Sequence, residues 1–132
     1  MQDIINLFKK FDRYKNKHDS QLQYYLEPSI KLNQYKKFYD NNNELVGFVN
    51  WAYIHDIVEK RFKQTGKIKS SEWKSGNNLW LIEIVSIKNT FKMMRWVYHY
   101  FRKQLKVDHS INWLRVDSDI YRVGQKFKRS YH

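Results

Sequence analysis

The sequence has 132 residues, 17% of them aromatic, which is enough for one packed core, so we expect a single domain over residues 1–132. It contains no Cys, which excludes a disulfide framework, a thiolate zinc site and a cysteine nucleophile, and no apolar run is long enough to cross a bilayer. We therefore expect a soluble protein of a reducing compartment, most simply the cytoplasm. The 25 Lys and Arg against 13 Asp and Glu give a net charge of +12, which predicts a polyanionic partner.

Hydrophobic periodicity in the first half of the chain predicts two helices around a β-hairpin. The turn-forming residues 40–43, Asp-Asn-Asn-Asn, separate two runs with strand character. The segment before the hairpin contains the only Pro, Pro28, and is expected to be irregular. The predicted elements are a helix over 3–15, an irregular segment over 16–33, strands over 34–39 and 44–53, and a helix over 54–64.

The second half predicts a buried strand, the clearest helix of the sequence and a closing hairpin. A polar loop over residues 65–78 leads into the apolar strand 79–86, and Asn89-Thr90 supplies an N-cap for the helix that follows. Strands over 111–117 and 121–127 are predicted to pair as a second hairpin.

Two stripes of side chains run along that helix at helical spacing. The first is predicted to be buried and consists of Phe91, Met94, Tyr98, Phe101 and Leu105. The second is basic, has no compensating carboxylate, and consists of Lys92, Arg95, His99, Arg102 and Lys106. A solvated surface explains the basic stripe in many proteins, but an unneutralised row of cations also suits an anionic partner.

Glu83 is the single carboxylate of the strand over residues 79–86, whose sequence is too apolar for an exposed strand. An ionised carboxylate in a buried strand is costly unless it is paired or has a raised pKa. Two interpretations follow from the residue alone. Either the strand lies at an edge and Glu83 points to water, or Glu83 is positioned for proton transfer or for orienting a base.

Several blocks of residues, in a fixed order, point to a known family. They are Pro28 with Asn33-Gln34-Tyr35, Val46 to Ala52, Trp73 to Asn77 with Trp80 to Ile84, and Leu114 to Asp117 with Val123-Gly124. Over about residues 18–127 this ordered set resembles the hemolysin-activating (RTX toxin-activating) lysine acyltransferases. The resemblance implies an α/β fold of the N-acetyltransferase type, with a mixed, mostly antiparallel sheet flanked by helices.

The resemblance also implies a reaction, in which a fatty acyl group passes from the phosphopantetheine arm of acyl carrier protein to a lysine of a target protein, as in protoxin activation. It implies homodimer formation, with no bound cofactor. No metal is expected either, because no His of the sequence has a second ligand at metal-binding spacing. The catalytic His of the family corresponds to His18 and its catalytic Asp to Glu83. Glu in place of Asp keeps the carboxylate but extends the side chain by one methylene, and Lys15 stands where the family often has Ser.

Two further surfaces are assigned from this reaction. Donors for the oxyanion are expected either at backbone N–H groups near the central strand or at side chains of the polar loop. The same loop is expected to bind substrate and to shape the mouth of a groove for the donor arm, with Trp73, Ser75, Gly76, Asn77 and Asn78. Acyl carrier protein is acidic, so the basic helix face is its predicted dock, at Lys92, Arg95, Arg102 and Lys106. Because the chain lacks Cys, no thioester can form on the enzyme, and direct transfer in a ternary complex is expected.

Two alternatives remain open at this point. The charge, with aromatic residues such as Trp96, Tyr100 and Trp113, would also suit a nucleic-acid-binding module. An acyltransferase-like protein that has lost its chemistry would act only through interactions. The glycine-rich loop of coenzyme A-dependent acetyltransferases is missing after the strand, where the chain reads Ile87-Lys-Asn-Thr-Phe-Lys-Met93, which favours a carrier-protein donor.

Overall fold

A computed structural model describes residues 1–105, 109–117 and 120–127, with side chains for residues 1–105 and 109–114. The described elements alternate helices with the strands of one sheet, which confirms the predicted α/β class. They are α1 (Gln2–Phe8), α2 (Asp19–Lys31), β1 (Tyr35–Tyr39), β2 (Leu45–Ile54), α3 (Asp56–Thr65), a 3-10 turn (Ser70–Glu72), β3 (Asn78–Ser86), α4 (Thr90–Gln104), β4 (Ser110–Asp117) and β5 (Ile120–Phe127).

The five strands form one mixed sheet in the order β1-β2-β3-β4-β5. Three of the four neighbouring pairs are antiparallel, and the pair β3–β4 is parallel. The predicted mixed, mostly antiparallel sheet is therefore confirmed, together with both hairpins. The strand that contains Glu83 is the central strand, so the alternative of an edge strand is wrong.

The helices cover both faces of the sheet, and the alternation of β2 shows which face each covers. Phe48 packs with residues of α1 and α2, and Ala52 and Ile54 pack with Phe62 of α3. The intervening side chains of β2 pack with α4 on the opposite face, next to Val97 and Phe101. α1, α2 and α3 thus share one face, and α4 covers the other.

The prediction of an irregular segment over residues 16–33 is wrong, because most of it forms α2. Leu22, Leu26 and Ser29 are buried on one side of this helix, at spacings of four and three. Pro28 lies within the helix, near its C-terminal end. Packing of this buried side outweighs the unfavourable propensity of Pro, which sequence reasoning weighted too heavily. The predicted first helix is correspondingly shorter and ends at Phe8.

The buried stripe of α4 also differs from the predicted one. The fully buried residues are Met93, Val97 and Phe101, spaced by four, whereas Phe91 is 77% exposed. Met93 lies close enough to Gly47 of β2 that a Cβ there would be 2.9 Å from its sulfur. Phe101 belongs to both stripes, and Met94, Tyr98 and Leu105 are partly buried against the same cluster. Of the predicted stripe only Phe91, in the first turn, is wrong. No described helix is both long and apolar enough to span a membrane.

Candidate active site

A β-bulge in the central strand decides which way Glu83 points. Asn50 of β2 pairs with Glu83 and Trp51 pairs with Leu81, so Ile82 is an extra residue without a partner in β2. Before the bulge Leu81 packs on the α4 face, and after it Glu83 contacts residues of the α1–α2 face. Regular alternation would have put Glu83 on the same face as Leu81. The bulge re-aims the carboxylate, as such irregularities do next to many functional sites.

Glu83 is buried and accepts hydrogen bonds from three side chains. The Tyr25 hydroxyl donates to its Oε1 at 2.6 Å, and the Tyr14 hydroxyl donates to the same oxygen. One terminal nitrogen of Arg13 donates to both carboxylate oxygens, at 3.0 and 3.2 Å. An ionised carboxylate only accepts hydrogen bonds, and each of these three groups donates one. The three donors therefore offset the cost of burying the negative charge of Glu83 in the core. We call Arg13, Tyr14, Tyr25 and Glu83 the Glu83 cluster.

The electrostatics of the Glu83 cluster keep its donors protonated. Burial, the charge of Glu83 and the hydrogen bond to it all raise the pKa of Tyr14 far above its usual value, and the same causes raise the pKa of Tyr25. Partial burial by itself would lower the pKa of Arg13, but the attraction of Glu83 and the interactions with Tyr14 and Tyr25 together outweigh it and raise that pKa. Neither phenol is therefore suited to accept a proton near neutral pH.

A buried polar chain anchors the backbone of Glu83 to α2. The Glu83 N–H donates to Asn50 Oδ1 at 2.8 Å, and Asn50 Nδ2 donates to Ser29 Oγ at 3.0 Å. Ser29 in turn donates to the carbonyl of Leu26 at 2.9 Å. Asn50 and Ser29 are fully buried, so the amide and the hydroxyl need these partners. The chain fixes the bulge against the helix that supplies Tyr25.

His18 lies at the N-cap of α2, where its backbone N–H donates to Gln21 Oε1 at 3.1 Å. The side chain is exposed, and among the described contacts none joins it to Glu83. Tyr25 follows it by two turns of the same helix. The structure therefore brings Glu83 together with Arg13, Tyr14 and Tyr25, none of which the sequence singled out. The only signal for them was the general need of a buried carboxylate for donors.

The loop from Trp73 to Asn78 packs against the end of β2. Trp73 is buried in the core, with its carbonyl accepting from Tyr53 N at 2.9 Å. Ser75 accepts from the His55 N–H at 3.1 Å, and a Cβ on Gly76 would lie 2.5 Å from that same nitrogen. The loop is thus fixed by backbone contacts around residues 53–55.

The other residues assigned to this loop face outward to different degrees. Asn78 donates to Asp56 Oδ1 at 2.7 Å, which ties the start of β3 to α3, while Asn77 is exposed. Their assignment to substrate binding stays a prediction. A groove of about 310 Å³ lies beside the buried Trp73, between the end of α2 and the 3-10 turn. It is lined by Pro28, Lys31, Leu32, Ser70, Ser71, Trp73 and Lys74.

The basic face of α4 is exposed at Lys92, Arg95 and Arg102, and Lys106 lies outside the described residues. The helix contains no Asp or Glu. The Arg95 guanidinium lies 5.0 Å from the centre of the exposed Phe91 ring, which adds an apolar element to this surface. Across the described part of the chain, no group of three His, Asp or Glu side chains is arranged to hold a metal ion.

The chain is similar in sequence to known proteins. A sequence model of the RTX toxin acyltransferase family matches residues 1–127. An uncharacterized protein of Synechocystis sp. is 30% identical over 97 residues, 72% of this chain and 64% of that protein. The lysine-acyltransferase RtxC of Vibrio cholerae is 27% identical over 60 residues, 45% of this chain and 39% of RtxC. The chain thus spans less than two thirds of either relative. The match over nearly its whole length confirms the resemblance, and the chain belongs to the RTX toxin acyltransferase family.

Proposed function

We propose that this protein transfers a fatty acyl group from acyl carrier protein to a lysine side chain of a protein acceptor, in the family's case a protoxin. The observation that carries the proposal is the Glu83 cluster, in which a bulge on the central strand re-aims a carboxylate, in a chain that belongs to a family of acyltransferases. Such a construction is expensive for a purely structural strand, since an apolar residue would pack there without any partner.

The side of β3 that faces β4 is suited to an extended donor arm. β3 and β4 pair at only two described positions, Trp80 with Asn112 and Leu81 with Trp113. Glu83 is two residues beyond the last of these. A phosphopantetheine arm contains two amides, and such an arm can hydrogen-bond to a strand edge in the way an added strand does. The thioester would then lie close to the Glu83 cluster.

The chemistry needs a base for the lysine amine. The neutral amine attacks the thioester carbonyl carbon, a C–N bond forms and the carbonyl electrons move to oxygen. When they return, the C–S bond breaks and the pantetheine leaves as a thiolate, while the amine proton passes to the base, which then gives it to the thiolate. The exposed His18 imidazole has the appropriate character for this role, while Tyr14 and Tyr25 do not. Glu83 would act through the groups it holds.

The partners follow from charge and from the family. The acidic carrier protein would dock on the exposed cations of α4, Lys92, Arg95 and Arg102, with Lys106 as the fourth predicted contact. Use of this donor would locate the reaction in the cytoplasm. Homodimer formation is a further proposal, which sedimentation of the purified protein measures directly. Trp73, Ser75, Gly76, Asn77 and Asn78 remain the proposed wall of the donor groove.

Mass spectrometry of acylated carrier protein tests the reaction. The carrier, loaded with a medium or long acyl chain, is incubated with the wild type, His18→Ala or Glu83→Ala, and with a lysate that supplies acceptor lysines. The wild type should remove the acyl mass from the carrier and add it to a lysine, and both variants should be strongly impaired. His109→Ala, which removes another exposed histidine, is the matched control and should behave like the wild type.

The outcomes separate the competing functions. A carrier that keeps its acyl group and does not bind the wild type contradicts the proposed reaction. In that case, tight binding of DNA or RNA that weakens steeply with salt would indicate the nucleic-acid-binding class. A carrier that binds without losing its acyl group would indicate an interaction protein that has lost the chemistry.

A further inference from the structure

Arg13 uses only one of its three nitrogens in the Glu83 cluster. The same terminal nitrogen donates to Glu83 Oε1, to Glu83 Oε2 and to the Tyr14 hydroxyl. An arginine has five N–H donors, so three of them, on the other terminal nitrogen and on Nε, are not used by these contacts. Within the described part of the chain they have no hydrogen-bond partner, and the side chain is 64% exposed.

Although the Arg13 side chain is largely exposed, its guanidinium is held in place by contacts with Glu83 and Tyr14. It is anchored by a buried carboxylate, and its carbon lies 4.7 Å from the centre of the Tyr14 ring. The backbone beneath is fixed by turns, with Tyr14 N–H donating to Phe11 O at 2.9 Å and Lys17 N–H donating to Tyr14 O at 3.1 Å. A fixed cation with unused donors that face solvent is suited to bind an oxygen on which negative charge develops.

We propose that Arg13 is a catalytic residue, which binds the thioester carbonyl oxygen and stabilises the oxyanion formed when the lysine amine attacks, with Glu83 and Tyr14 as positioning residues. The inference rests on the proposed acyl transfer and names its oxyanion donor. In the step concerned, the C–N bond forms, the carbonyl π electrons move to oxygen, and the unused N–H groups of Arg13 donate to that oxygen. Collapse of the intermediate then breaks the C–S bond and expels the thiolate, which takes up the proton that the base removed from the amine.

The position of Arg13 in the chain suits this role. It lies on the connection between α1 and α2, five residues before His18. The proposed oxyanion donor and the proposed base therefore come from the same short connection, Arg13 from its middle and His18 from its end. Both phenols donate to Glu83 Oε1, so among the described contacts only Arg13 donates to Oε2, and the same guanidinium presents its positive charge to solvent.

The test compares Arg13→Gln and Arg13→Lys with a matched control, Arg61→Gln. Arg61 also pairs with a glutamate, Glu72, but far from Glu83 in sequence and in a different cluster of contacts. For Arg13→Gln we expect kcat to fall about 100-fold to 1000-fold with little change in KM, since the contact to the neutral carbonyl oxygen is weak and strengthens as negative charge develops. Arg13→Lys keeps the charge but loses the fork of donors and should recover part of the rate. Arg61→Gln should keep the wild-type kcat.

A second measurement stands apart from turnover. An acyl-pantetheine analogue with a sulfonyl group in place of the carbonyl presents tetrahedral oxygens and cannot transfer its chain. The wild type and Arg61→Gln should bind it at least about tenfold more tightly than Arg13→Gln does. If the wild type transfers acyl groups but Arg13→Gln retains the full rate, the proposed function stands and the role of Arg13 is wrong. If the wild type transfers none, the function fails, and equal affinity of wild type and Arg13→Gln for the analogue overturns the role of Arg13 as well.

Discussion

The Glu83 cluster and the basic face of α4 are two charged regions of very different construction. In the cluster a buried carboxylate has three hydrogen-bonding partners within the described residues, and its backbone is tied to α2 through Asn50. On α4 the cations Lys92 and Arg95 are exposed, and the helix contains no carboxylate of its own. The first region is a buried, hydrogen-bonded site, and the second is an exposed charged surface.

The difference teaches where each region contributes to function. Charges in the core interact strongly, and leaving one without its partners is expensive, so the cluster couples stability to chemistry. Exposed charges are screened by salt beyond about 8–10 Å and contribute little to stability. They act on the approach of a partner. The comparison therefore predicts that substitutions in the Glu83 cluster lower both the stability of the fold and the rate of the reaction. Substitutions on the basic face of α4 should change only the association with a partner.

Glu83→Ala should have the largest effect on stability. It removes a carboxylate that accepts from Arg13, Tyr14 and Tyr25, and it leaves two phenols in the core without that acceptor. We expect a loss of about 3 kcal/mol in the free energy of unfolding, measured by urea denaturation. Glu83→Asp retains the charge and should lose less. If Glu83→Ala were as stable as the wild type, the hydrogen bonds of the Glu83 cluster would not contribute to the stability of the fold.

Gly76→Ala should lower the stability of the protein, as changes in the Glu83 cluster do, because the loop from Trp73 to Asn78 packs tightly against the end of β2. A Cβ at Gly76 would lie 2.5 Å from the backbone nitrogen of His55 and 2.7 Å from the carbonyl carbon of Ile54, neither of which can move alone. We expect a loss of about 2 kcal/mol in unfolding free energy. Gly47→Ala is the matched control, because its closest contact is the flexible side chain of Met93, and it should lose clearly less. Equal losses would contradict the rigid approach of loop and strand.

Alkaline pH should destabilise the cluster. Tyr14 and Tyr25 have folded-state pKa values raised above 10 by burial and by Glu83, so their contribution is fully present below pH 10. It is lost as pH rises above 10 toward the folded-state values, because the unfolded chain ionises first. The unfolding free energy should fall by at most about 1.4 kcal/mol per pH unit for each phenol. Tyr25→Phe should lower stability at pH 8 but reduce this alkaline slope. An unchanged slope in that variant would contradict the assignment.

The fold could largely be predicted from the sequence, because hydrophobic period and turn chemistry determine both hairpins, α3, β3 and the existence of α4. The failures have a common cause in tertiary packing. Pro28 is an unfavourable residue that α2 tolerates because Leu22 and Leu26 are buried beside it. Phe91 lies on the predicted stripe, yet its side chain is 77% exposed.

The site was harder to predict than the fold. Glu83 was recognised because a lone carboxylate in an apolar strand violates the local pattern, and such violations mark functional positions. Its partners are 58 to 70 residues away in the chain and follow no spacing rule. The direction of its side chain depends on the bulge at Ile82, for which the sequence has no turn or Gly signal.

The smallest effect on stability, and the sharpest test of the comparison, belongs to α4. The double variant Lys92→Glu/Arg95→Glu should unfold within about 0.5 kcal/mol of the wild type, because both side chains are exposed. Its affinity for acyl carrier protein should fall about tenfold or more at low salt, and the difference should shrink as salt rises. The control Lys60→Glu/Lys67→Glu makes the same change of net charge at exposed positions outside α4. It distinguishes binding of the carrier at α4 from attraction by the overall positive charge of the protein. If both doubles weaken binding equally, the carrier responds to net charge alone, and the basic face of α4 is not its dock.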